Sequence, residues 1–69
     1  MDEEIRSRLL ALQQMEATEA EVYHRLAARQ KDPHNRGILE KIAADEERHE
    51  SILAKKTGEV VKPQMSKVR

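Results

Sequence analysis

From Asp2 to Gln30 the chain places Ile5, Leu9, Leu12, Glu16, Glu19, Tyr23 and Leu26 at alternating steps of four and three. That is the spacing of a single stripe on an α-helix, and it is read as the inward face. No Gly or Pro interrupts this segment, and Ala, Leu, Glu, Gln and Arg dominate it, so one long helix is predicted. Asp2 is placed to cap it, with Glu3 and Glu4 at the positive end of its dipole. The stretch QKDPHN breaks the pattern. Asp32 suits an N-cap and Pro33 the first helical position, where a missing N–H costs nothing. A second helix is therefore predicted from about Pro33 to Thr57, closed by Gly58 in the left-handed C′ position. Its stripe is Leu39, Ile42, Glu46, His49 and Leu53. Gly37 lies in its first turns and weakens that end by about 1 kcal/mol relative to Ala. No alternating run predicts a strand. Residues 59–69 carry Pro63 and no helical period, so the organisation is a helical hairpin over 1–58 followed by an extended or disordered tail over 59–69.

A short hinge makes the two helices antiparallel neighbours. Because both rise equally per residue, facing positions have numbers that sum to about 65. Leu26 then faces Leu39, Tyr23 faces Ile42, Glu19 faces Glu46, Glu16 faces His49, and Leu12 faces Leu53. Both stripes turn polar at the same height, between apolar layers. Helical periodicity does not require that coincidence.

Composition narrows what such a hairpin can be. With 69 residues the core is only marginally stabilising, so support from outside the chain is expected. There is no Cys, which removes disulfides and thiolate metal sites and leaves oligomerisation or an oxygen- and nitrogen-ligated metal. The formal net charge is zero and Tyr23 is the only aromatic residue. No one-signed field or stacking platform therefore suits nucleic acid. No apolar run approaches the roughly 18 residues of a membrane span, and MDEEIRSR lacks a signal peptide's apolar core. A cytoplasmic protein with no membrane part is expected.

Burying carboxylates without a compensating cation costs several kcal/mol, and neither stripe carries a Lys or Arg at the polar level. A metal ion is the natural counter-charge. Glu46 and His49 stand three apart, one above the other, so both can reach one ion. A two-fold homodimer doubles every group and turns two hairpins into a four-helix bundle. Two copies of Glu16, Glu46 and His49 then give four carboxylates and two imidazoles, balancing two divalent ions. This is the donor set of ferritin-like di-iron proteins: a Glu from each of two helices and Glu-x-x-His from each of the others. Such donors suit iron or manganese, and zinc also binds them.

Those residues resemble the rubrerythrin branch of the ferritin-like superfamily over roughly residues 9 to 62. In its pattern a ligand Glu precedes a Tyr by seven, here Glu16 and Tyr23 in MEATEAEVY, and the next helix carries Glu-x-x-His, here Glu46 and His49 in DEERH. By architecture the chain is similar to encapsulated ferritins, two-helix chains that build a di-iron site across a dimer interface. The stretch KIAADEERHESILAKKTGEVVKP also resembles the ferritin-like domain preceding the membrane part of some iron transporters. The resemblance implies an all-α hairpin that dimerises into a ferritin-like bundle, with Glu16, Glu46 and His49 as metal-binding and catalytic residues of a di-iron centre. It implies ferroxidase-type oxidation of Fe(II) by oxygen or peroxide, in a homodimer or higher even-numbered assembly. The other readings are a non-catalytic iron-binding dimerisation or sensor domain of a transporter, a rubrerythrin-like peroxide-handling protein, and a plain metal-free hairpin whose polar seam faces solvent, a monomer indifferent to iron. An encapsulin shell would place the protein inside a protein compartment, although the tail shows no convincing shell-targeting peptide. The absence of Cys removes the rubredoxin-type iron site of full rubrerythrins.

Two neighbours of the donors carry open readings. Glu19 is read either as a metal ligand, alternate or supporting, that swings in when the iron is oxidised, or as a partly exposed surface residue. Tyr23 is a core aromatic whose hydroxyl can also bond a ligand carboxylate. A second Glu-x-x-His pair, Glu21 and His24, is read as surface, because Glu21 lies about 140° from Glu16 around the helix. His34, beside the hinge proline, is expected to face solvent.

Overall fold

A computed structural model describes residues 1–67. Helix α1 spans Glu3–Arg29 and helix α2 spans Pro33–Thr57. They end where local chemistry says they should. The Asp2 carboxylate accepts from the backbone N–H groups of Glu4 at 2.7 Å and Ile5 at 3.3 Å, satisfying donors that the first helical turn leaves free. Asp32 accepts from the His34 N–H at 2.9 Å, with Pro33 as the first helical residue. Gly58 closes α2 at φ 74°, a conformation that costs a Cβ-bearing residue about 1–2 kcal/mol. The hinge is fastened by Arg36, whose Nε donates to the Gln30 carbonyl at 3.0 Å. Among the described residues there is no strand, and no helix is long and apolar enough to cross a membrane.

The helices run antiparallel. At the open end Arg6 donates to the Thr57 carbonyl at 3.2 Å and pairs with the Glu59 carboxylate at 2.6 Å. Nearer the hinge, His24 meets Glu47 at 3.1 Å.

Which faces meet differs from the periodicity reading. The buried side chains of the described residues are Gln13, Ala20 and Ala27 on α1 and Ala43 and Thr57 on α2. Each of Gln13, Ala20, Ala27 and Ala43 follows a stripe residue by one, a rotation of about 100°. The stripe expected to point inward therefore flanks the contact, and Ile5, Leu12 and Leu26 on it remain largely exposed. The reason is size. Side chains no larger than a methyl let two helix backbones approach closely, and the larger residues are displaced to the edges of the contact.

The tail after Gly58 takes a definite path as far as it is described. The Gln13 Nε2 donates to the Glu59 carbonyl at 2.7 Å, the Gln14 side-chain amide donates to the Lys62 carbonyl, and the Gln64 N–H donates to Thr18 Oγ1 at 3.0 Å. Residues 59–64 thus run beside α1 without helix or strand, and Met65–Lys67 form one 3₁₀ turn. Thr18, Glu21 and the other residues near this segment lie on the flank of the helix pair opposite the stripe.

Candidate metal centre

Midway along the open flank, Glu16 from α1 meets Glu46 and His49 from α2. The His49 Nδ1 lies 3.3 Å from a Glu16 carboxylate oxygen and 3.6 Å from one of Glu46. One ligand atom from each of the three falls within 4.8 Å of the others, and among the described residues this is the only such group of three His and carboxylate side chains. Both carboxylate side chains are only 15% exposed, against 51% for the imidazole. The carboxylates are thus recessed at the helix pair while the ring stands at the rim. Beside them opens a groove of about 290 Å³ lined by Leu12, Glu16, His49, Ile52 and Leu53.

Each donor is held by a long regular element. Glu16 lies near the middle of the 27-residue α1, and Glu46 and His49 lie on successive turns of the 25-residue α2. Both cross-helix neighbours, Glu16 with His49 and Glu19 with Glu46, are the pairs that equal rise from the hinge predicts.

The electrostatics leave this cluster short of positive charge. Arginines pair elsewhere: Arg25 with Glu21, Arg8 with Glu4, Arg48 with Asp45 and Arg6 with Glu59. Among the described residues, Glu16 and Glu46 have no Lys or Arg partner, and their only possible cation is His49. Glu19 registers the same excess. A hydrogen bond with Glu46, then slight burial, then repulsion from Glu46 hold its carboxyl above the usual glutamate range. The donor set fits a divalent transition ion: carboxylate oxygens and an imidazole nitrogen converge, and no side-chain cation competes for the space. One hairpin offers three such groups, fewer than the four ligands of a closed tetrahedral site.

The remaining sequence-based candidates fall around this trio. Glu19 adjoins Glu46 but is exposed and outside the converging group. Tyr23 is half-buried, and among the described residues its hydroxyl makes no hydrogen bond to a site carboxylate. Glu21 and His24 lie on the opposite flank, engaged by Arg25 and Glu47, and His34 is exposed. Sequence reasoning missed Gln13 and Thr57. Their signal was a seven-residue register: Gln13, Ala20 and Ala27 on one helix, Ala43 and Thr57 two such steps apart on the other. No protein-family model, curated protein or solved structure matches the chain.

Proposed function

We propose that the chain is a di-iron carboxylate protein with ferroxidase-type activity, its site completed by a second copy of itself. The observation that carries this reading is the convergence of Glu16, Glu46 and His49 with no Lys or Arg to balance them. Support for the second copy comes from packing. The buried hydrophobic residues among those described are three alanines, a core too small to stabilise a domain alone. The tail lies along one flank, while Leu12, Ile52 and the metal donors lie on the other, where they are open to a partner. A two-fold axis through that flank would double the donors to four carboxylates and two imidazoles.

Glu16 and Glu46 draw Fe(II), which is substrate, and neutralise its charge. His49 must present Nδ1 without a proton, so binding moves that proton to Nε2 or to solvent. Overall, two ferrous ions lose one electron each, and dioxygen takes both with two protons, leaving as hydrogen peroxide. Manganese or zinc would occupy the same donors.

The test is anaerobic Fe(II) titration followed by oxygen-uptake measurement, on the wild type and on Glu46→Ala and His49→Ala. Saturable binding and oxygen uptake lost in both variants are expected. Binding without uptake would favour a non-catalytic iron-binding or sensor module. A wild type that takes up no Fe(II) would remove the metal reading altogether.

A further inference from the structure

Gln13 is fully buried, the largest such side chain described, in an interface otherwise made of small residues. Both ends of its amide are engaged. Its Oε1 accepts from the Thr57 hydroxyl at 2.7 Å, and its Nε2 donates to the Glu59 carbonyl at 2.7 Å. Thr57 Oγ1 in turn accepts from the Glu59 N–H at 3.3 Å. Ala20, Ala27 and Ala43 offer only methyl groups, over which a helix can shift axially with little change in packing. The Gln13 network tolerates no such shift, because any displacement strands a buried amide or hydroxyl without a partner.

We infer that the contact of Gln13 with Thr57 and Glu59 is the register lock of the hairpin, and that it positions Glu16 against Glu46 and His49. Gln13 lies one turn before Glu16, about 4.5 Å along the axis, whereas the hinge at Gln30 is about 21 Å away. The hinge fixes one end of the pair. The lock fixes the other, one turn from Glu16 on α1 and about 12 Å beyond His49 along α2. Metal ligation tolerates misplacements of only about 0.5 Å, so a relaxed register weakens the site without unfolding either helix. The consequence for metal rests on the proposed site, while the register claim stands without it. Gln13 and Thr57 touch no donor and act as positioning residues.

The test replaces the lock by an apolar pair of similar shape, Gln13→Leu with Thr57→Val. Exchanging both partners leaves no stranded polar side chain between them, and the Glu59 backbone groups they release belong to an exposed residue that water can reach, so helicity is expected to persist. In metal-free protein, nuclear Overhauser contacts between the His49 ring and the Glu16 and Leu12 side chains are expected in the wild type and weakened or rearranged in the variant. With Co(II) as probe ion, affinity is expected to fall in the variant, by less than the roughly tenfold or more lost when a direct hydrogen-bond partner of a ligand is removed, with altered visible bands. Thr57→Ser, which keeps the hydroxyl, is expected to restore wild-type contacts and affinity. Should the double variant unfold, Thr57→Val alone deletes one hydrogen bond and is expected to give a partial loss of both signals. Unchanged His49 contacts in a folded variant lacking the hydroxyl overturn the register claim. Altered contacts in a chain whose wild type binds no Co(II) uphold the lock and sink the metal site instead.

Discussion

A hydrogen bond with Glu46, slight burial and repulsion from Glu46 hold the Glu19 carboxyl of the folded chain above the ordinary glutamate range. A raised carboxyl gives stability that is complete below the unfolded value and lost as pH rises through the folded one. In chelator-treated protein the neutral mimic Glu19→Gln is therefore expected to gain melting temperature relative to wild type as pH rises through that window. The gap is small, because Glu19 is exposed. If the proposed site takes up metal, added Fe(II) is expected to reverse the trend, since ligands bind a metal ion in their deprotonated forms. Melting curves across mildly acidic to neutral pH, with and without Fe(II), check both signs. Carbon-detected titration of the Glu19 carboxyl should also show its midpoint fall in Glu46→Gln, which removes the repelling charge. Glu16, Glu46 and His49 were legible as neighbours because their heights follow from residue number alone. Gln13 and Thr57 left only their seven-residue register with Ala20, Ala27 and Ala43, a faint signal because a Gln and a Thr among Ala and Glu break no hydrophobic rule.

At the scale of the helices, stability rests on end chemistry and on two glycines with opposite demands. A Cβ built on Gly37 meets nothing within 4 Å, and its backbone is helical. Gly37→Ala is expected to stabilise the protein by about 0.5–1 kcal/mol, measured by urea unfolding. Space is equally open around Gly58, but its φ of +74° is not available to alanine without strain. Gly58→Ala is expected to cost about 1–2 kcal/mol, and it bears on the lock because Glu59 follows directly. Helix ends were legible because a cap is a contact between residues two to four apart, as at Asp2 and Asp32. The face each helix buries was not. Alanine carries a weak hydrophobic signal, yet its small size decides how closely two helices approach.

For the whole molecule, the flank that carries Leu12, His49 and Ile52 is left open. Ile52 is 48% exposed and lines the groove beside His49. If a second copy covers that flank, Ile52→Glu is expected to leave helicity at low concentration intact while abolishing the dimer and the rise in melting temperature on adding Fe(II). Sedimentation and thermal melts read both. The sequence by itself determined the two helices, their ends, the hinge, and the common height of Glu16 with His49 and Glu19 with Glu46. These depend on backbone hydrogen bonding between near neighbours and on the fixed rise of the helix. Tertiary structure alone decided the rotation that left the polar stripe open, the path of residues 59–64, and the engagement of Gln13 with Thr57 and Glu59. Those depend on side-chain volumes and hydrogen bonds between residues more than forty positions apart, which no local pattern encodes.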